Sequence, residues 1–366
     1  MKITRIARLS AVGAVAALAL AGCAANEAPA SDNGDAPAAS NLEGTLKATG
    51  ASSQGSAQEA WVAAFQTANS GVTINYEPTG SGTGRENFIA GASDFIGSDR
   101  AFKLEEFGDG FKTCSSENIV EVPLYISPVA VAFNLEGVDE LNLDAKTIAG
   151  IFAGTITNWN DAAIASQNEG VTLPDLAISP VHRSDDSGTT ETFTAYLNAT
   201  APDVWTNEAD GVWPLQGGEA AQGTSGVVQA IKAGNGAIGY ADASQTKELG
   251  QVKVGVGGEY VAYSAEAAAA LVEASPLEEG RGDADLVFDV DPAAAPAGSY
   301  PIALVSYLIA CEQYEDQNTA ELVKAYFEYV ASEEGQQAAA DNAGSAPISE
   351  GLREKVLAAI DTIKVG

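Results

Sequence analysis

Three glycine- and serine-rich turns in this 366-residue chain each open a helical pattern, and together they have the chemistry to hold a small anion. Gly50-Ala51-Ser52-Ser53-Gln54-Gly55 precedes a segment carrying Trp61 and Phe65. Thr79-Gly80-Ser81-Gly82-Thr83-Gly84 precedes Phe88 and Ile89. His182-Arg183-Ser184-Asp185-Asp186-Ser187-Gly188-Thr189-Thr190 precedes Phe193, Tyr196 and Leu197. A helix N-terminus leaves about four N–H groups unpaired and carries partial positive charge. Three such ends converging on one point hold a dianion without net basic charge. One turn alone fits ordinary Ser/Thr capping; three, one of them with an arginine, point to an oxyanion.

Other chemistries fit less well. The second turn has no GK[ST], and Arg85-Glu86 stands where a nucleotide loop needs its lysine. The sole histidine, His182, lies beside Ser184, Asp185 and Ser187, but serine triads gather residues from distant segments, and no G-x-S-x-G elbow is present. One histidine and scattered carboxylates give no metal-ligand spacing, so neither metal nor cofactor is expected. Arg281-Gly282-Asp283 reads as a solvated turn.

The elements that must position these turns alternate. From Gly44 to Ala101 the pattern is strand, helix, strand, helix, as in an α/β sheet. Two nearly continuous apolar runs, about 122–133 and 300–309, read as strands buried on both faces. They bracket a long middle section and act as paired hinge strands. A strong amphipathic helix is expected from about Thr319 to Ala331. The domain expectation is therefore one lobe from 42–125 plus 301–366, and a second lobe, 126–300, inserted between them.

Lys2, Arg5 and Arg8 precede an apolar run ending in Leu20-Ala21-Gly22-Cys23, the pattern of a lipoprotein signal over 1–22 with lipidation at Cys23. Residues 23–41, low in large apolar side chains, read as a flexible tether. Removing 22 of 366 residues leaves 344, a length suited to two domains. The expected location is the extracytoplasmic face of the cell membrane, held by lipid alone. Cys114 and Cys311 are then left, in an oxidising compartment, as a disulfide within one lobe or as two buried thiols. The formal charge of −32, from 18 Lys+Arg and 50 Asp+Glu, argues against nucleic-acid binding. It also requires that any anion be held by local dipoles, because the long-range field repels it.

Six spaced segments carry a family resemblance: GASS at Gly50–Ser53, TGSGTG at Thr79–Gly84, IGSD at Ile96–Asp99, HRSDDSGTT at His182–Thr190, GAIGY at Gly236–Tyr240 and EEGQQAAADNAGSAPIS at Glu333–Ser349. On these the chain resembles the phosphate-binding proteins of phosphate ABC importers, the PstS family, from about Leu46 nearly to the C-terminus. The resemblance implies a two-lobed type II solute-binding (Venus-flytrap) α/β fold with a mixed sheet in each lobe and two hinge strands. It implies a monomer that binds inorganic phosphate, delivers it to transporter permease subunits and catalyses nothing. Carried over by position, Ser52, Ser53, Ser81, Ser187, Gly188 and Thr189 are donors, Arg183 is the one arginine on the ligand, and Asp99 accepts the phosphate proton. Asp185 holds Arg183. Asp186 stands where the family usually has glycine, adding negative charge beside the site. The competing readings are a binder of another oxyanion, sulfate or molybdate, and a secreted phosphoesterase with Ser187 or Ser81 as nucleophile.

Overall fold

A computed structural model describes residues 42–366; the leader, Cys23 and the tether lie outside the described residues. In chain order the elements are β1 (Glu43–Gly50), α1 (Gly55–Ala68), β2 (Gly71–Glu77), α2 (Ser81–Ala90), β3 (Phe95–Ser98), β4 (Ile119–Asn134), β5 (Glu140–Leu143), α3 (Ala145–Phe152), α4 (Ala162–Ala165) and β6 (Ser179–Arg183). They continue as α5 (Gly188–Thr200), β7 (Glu219–Ala221), α6 (Gly223–Ala233), β8 (Ala237–Asp242), β9 (Gly250–Val256), β10 (Glu259–Val261), α7 (Ala265–Glu273), β11 (Ala303–Cys311), β12 (Gln313–Tyr314), α8 (Gln317–Ala331), α9 (Glu333–Ala343), α10 (Glu350–Ile360) and β13 (Lys364–Val365).

The main sheet runs β2-β1-β3-β11-β4-β8-β6-β7, with β9, β5 and β10 branching from β4. It has two halves, each mixed. In one, β1, β2 and β3 are parallel while β11 is antiparallel to β3 and β4. In the other, β8 is antiparallel to β4 but parallel to β6. The apolar runs explain the joint between them. Every residue of β4 but the last is buried, as is all of β11, which is how strands covered on both faces read in sequence.

Strand β4 belongs to both halves. It pairs with β11 as far as Pro128 and with β8 from Val129 onward, so a proline without an N–H falls where the partner changes. Its other proline, Pro123, sits beside the register shift at Ser306/Tyr307, again where a ladder donor is expendable. The chain returns next to this point, just ahead of β11: the Val129 N–H donates to the Ile302 carbonyl at 2.8 Å, and the Tyr300 hydroxyl to the Val129 carbonyl at 2.9 Å.

The amphipathic helix appears as α8, which buries Leu322, Val323, Tyr326, Phe327 and Val330 on one face and is capped by Asp316. Arg281 corrects an expectation. Its flanking Gly282 and Asp283 are exposed, but its own side chain packs against Glu278, Asp285 and Glu121 at 2.5, 3.0 and 3.5 Å. Glu121 is a lone acid in an apolar strand; burial and the neighbouring Asp285 push its carboxyl up, and the Phe102 N–H and Arg281 oppose that shift.

Cys114 and Cys311 form a disulfide, with Cα atoms 5.2 Å apart across 197 positions of sequence. It fastens the loop ahead of β4 to the end of β11, within one half of the sheet. Asp242 lies at the joint: it ends β8 opposite Val129 and accepts from the Tyr125 hydroxyl at 3.0 and 3.1 Å and from the Ser244 N–H at 3.0 Å. Burial pushes its carboxyl up to about 6, against the hydrogen bonds from Ser244, Ser127 and Tyr125.

Two outcomes follow for stability. Replacing Cys114 and Cys311 by serine should lower the unfolding free energy by about 2–4 kcal/mol; two free thiols in denatured, unreduced wild type, by mass, would show that the bridge does not form. For Asp242 the folded carboxyl binds its proton more tightly than the unfolded one, so its contribution is full below about pH 4 and is lost as pH rises through about 6. Asp242→Asn should therefore gain on wild type by about 3 kcal/mol between pH 4 and pH 7 in denaturant titrations. Parallel pH profiles would exclude this role.

Candidate functional site

Helix capping marks three of the four helix starts at the site. Helices α3, α4, α7, α8, α9 and α10 each have a side-chain cap, from Asp144, Asp161, Ser264, Asp316, Ser332 and Ser349. Helices α1, α2 and α6 have none. Their first N–H groups are left for other partners, and these helix starts, with that of α5, meet at one place.

The meeting point is Asp99, just after β3 and 6% exposed. Its Oδ1 accepts from the Ser53 hydroxyl at 2.5 Å and the Ser306 hydroxyl at 2.6 Å, and its Oδ2 from the Thr189 hydroxyl at 2.8 Å. Its N–H donates to Ser81 Oγ at 3.1 Å. A carboxylate offers about four acceptor positions; three hydroxyls leave one, on Oδ2. The approach is close enough to need glycine: a Cβ on Gly188 would come within 2.5 Å of the Asp99 Cβ.

Arg183, at the end of β6 and 3% exposed, turns its Nε and Nη2 edge to Asp185, with Nε at 2.8 Å from Oδ1. That leaves Nη1 for another acceptor. Burial works against the charge on Asp185, but the Arg183 hydrogen bonds and charge, with the Gly223 N–H at 3.1 Å, hold the carboxyl below its ordinary range. Among the described residues Asp185 is the carboxylate that pairs with Arg183, and Asp99 makes no hydrogen bond to it.

The structure brings Ser52, Ser53, Ser81, Ser187, Gly188 and Thr189 to this region, but their hydroxyls are not equally free. Those of Ser53 and Thr189 are committed to Asp99, so only main-chain N–H groups of these residues face outward. Ser52 Oγ is held by the Thr224 N–H at 3.0 Å and lies 3.1 Å from the Thr224 hydroxyl. Ser187 caps α5 through Oγ, accepting from Thr190 N at 3.3 Å, while its own N–H is taken by the Gly211 carbonyl at 3.0 Å. Ser81 and Ser187 therefore keep a hydroxyl proton to donate.

Four residues escaped the sequence reading as contributors. Gly223 and Thr224 open α6 with the same glycine-and-hydroxyl signature as the other turns, so Gln222-Gly223-Thr224-Ser225 was findable. Ser306 showed itself only as a lone polar residue in the apolar β11. Arg85 is buried beside the site, donating to Ser98 Oγ at 3.0 Å and to both oxygens of Asp186 at 3.3 Å. The charge that Asp186 was expected to bring to the site is thus matched by a cation. His182 offers nothing to a serine: its ring stacks on Trp213 at 5.0 Å, and its nitrogens face the carbonyls of Arg183 and Gly217 at 2.9 and 3.2 Å.

Helix starts from both halves of a mixed sheet, meeting over a buried arginine and a hydroxyl-bound aspartate beside the crossing strand, are the architecture of a type II periplasmic solute-binding protein; residues 26–334 match the PBP superfamily domain. The phosphate-binding protein PstS 3 of Mycobacterium tuberculosis is 34% identical over 374 residues, covering 99% of this chain and 100% of that protein. This chain belongs to the PstS family of phosphate-binding proteins. PstS of Pasteurella multocida is 29% identical over 320 residues, covering 86% of this chain and 89% of its own length. Among solved structures, a high-affinity periplasmic phosphate-binding protein bound with phosphate superposes with a TM-score of 0.70 at 23% identity, covering 86% of this chain and 93% of that one. A phosphate-binding protein from Stenotrophomonas maltophilia superposes at 0.65 with 19% identity, with the same coverage.

Proposed function

We propose that this protein binds one inorganic phosphate at the Asp99 meeting point and delivers it to a phosphate ABC transporter, without catalysis. The supporting observation is the single acceptor position left on Asp99, set among unpaired helix N–H groups. Phosphate near neutral pH keeps a proton to donate there, while sulfate keeps none. Sulfate would leave the carboxylate facing an anion with no proton between them, the kind of mismatch by which polar sites discriminate by roughly 10⁴ to 10⁵. The donors in this reading are the N–H groups of Ser53, Gly188 and Thr189, the hydroxyls of Ser81 and Ser187, Arg183 Nη1 and the N–H of Ser52. Hydrogen bonds to a charged ligand contribute roughly 1.5–3 kcal/mol each, so such a set offsets the desolvation of a small dianion.

The lobes in this reading are 42–125 with 301–366, and 126–300, and they close about the joint near Pro128 and Tyr300. Ser53, Ser81 and Asp99 lie on the first and Arg183 to Thr189 on the second, so ligand bridges them and the transporter reads the closed shape. Lipidation at Cys23, outside the described residues, would hold a monomer on the extracytoplasmic face of the membrane. The orientation of His182 supports a binding protein over a phosphoesterase, because its ring nitrogens face the carbonyls of Arg183 and Gly217 and neither Ser187 nor Ser81.

Titration calorimetry with phosphate, arsenate and sulfate tests this. Wild type should bind phosphate and arsenate tightly at one site per chain and respond little to sulfate; equal affinity for sulfate would overturn the assignment. Asp99→Asn can turn an amide toward the ligand, so sulfate binding should rise while phosphate binding changes less. An unchanged phosphate-to-sulfate ratio would remove Asp99 from the selectivity.

A further inference from the structure

Three ion pairs join the proposed lobes among the described residues, and they differ in what they leave behind when the lobes part; Arg281, which reaches Glu121 at 3.5 Å, keeps Glu278 and Asp285 of its own lobe. Arg100, just after β3, reaches Glu191 on α5 at 3.2 Å, but it also holds Glu106 of its own lobe at 2.7 Å. Arg85, on α2, has one carboxylate partner among the described residues, Asp186 of the other lobe, at 3.3 Å. Its remaining hydrogen bond goes to Ser98 Oγ. Separation therefore leaves Arg100 paired and Arg85 unpaired.

The Asp186 segment is docked as well as charged. The Gly82 N–H donates to the Asp186 carbonyl at 3.2 Å, and a Cβ on Gly82 would come within 2.5 Å of the Asp186 Cβ. The Arg85 side chain is 4% exposed and that of Asp186 44%. Burial and the nearby Arg100 both pull the guanidinium below its ordinary value, and Asp186 is the first of the groups that oppose them. The pair also adjoins the ligand position on both sides: Ser98 precedes Asp99, and Asp186 lies between Asp185 and Ser187.

We propose that Arg85 and Asp186 form a ligand-linked latch, in which Arg85 offers the open cleft a local cation that draws in the oxyanion, and Asp186 neutralises and locks that cation on closure. This rests on the phosphate reading and adds to it the rates of capture and release. It also answers a difficulty that the composition raises: a chain of net charge −32 repels its ligand at long range, and an unpaired arginine at the mouth offsets that field within about a Debye length. Truncating one member of a buried charge pair acts on dissociation, whereas an exposed charge acts on association and its salt dependence. The latch therefore predicts opposite kinetic signatures for its two halves.

The test is stopped-flow phosphate binding and release by wild type, Asp186→Asn, Arg85→Gln and the double variant, each at low and high salt, with thermal melts to confirm folding. Asp186→Asn should release phosphate about tenfold faster, with association unchanged or faster, and its release should no longer accelerate with salt as that of wild type does. Arg85→Gln should associate several-fold more slowly, and the double variant should release no faster than Asp186→Asn alone. Unchanged release from Asp186→Asn, or a double variant whose effects simply add, would overturn the latch. Should Arg85→Gln fail to fold, the half-exposed Asp186→Asn and its salt response still decide the matter. Wild type that binds no phosphate would instead sink the functional reading, which the same traces show directly.

Discussion

A buried carboxylate is costly unless its acceptor positions are filled, and that constraint at Asp99 organises this molecule. Asp99 is held by hydroxyls from three separate elements: the turn before α1, the start of α5 and the middle of β11. Burying a charge this way is tolerable only when its acceptor positions are filled. The fold must therefore bring β3, β11 and both helix starts to one point. The central place of β11, antiparallel between β3 and β4, is what carries Ser306 there.

The same constraint accounts for where side-chain caps are missing. Scaffold helices satisfy their own first turns, whereas α1, α2 and α6 leave theirs to be used by Asp99's surroundings, by Asp185 or by a ligand. In α6 this has already happened inside the protein, with Gly223 bonded to Asp185 and Thr224 to Ser52. Positive potential is thus supplied by oriented peptide dipoles and a few individually paired arginines, so an acidic chain can present an anion site without a basic patch.

Motion in the proposed mechanism is confined by the same architecture. One strand passes through both halves, and the return crossing lies beside it, so bending concentrates near Pro128, where the ladder changes partner. The disulfide stays on one side of that joint and Asp242 sits on it. Contacts between the halves at the site are polar, such as Thr189 to Asp99 and Arg85 to Asp186, and in this mechanism ligand makes the difference between open and closed.

Much of this was legible from local pattern. Helix starts with Gly, Ser and Thr, the two doubly buried strands and the amphipathic α8 all declare themselves through spacing and composition, because capping and burial on a periodic element are short-range requirements. Family-like segments singled out Asp99, Arg183 and Asp185, and the structure places Asp185 against Arg183. What sequence alone did not determine was which polar groups remain free. Ser52 is occupied by Thr224, 172 positions away, and Asp99 by Ser306, 207 positions away. Asp186 read as an added charge until Arg85, 101 positions distant, was placed against it. Those pairings depend on strand order, register and the docking of one half on the other, and only the tertiary structure decides them, since a hydrogen bond needs its partners within about 3 Å whatever their separation along the chain.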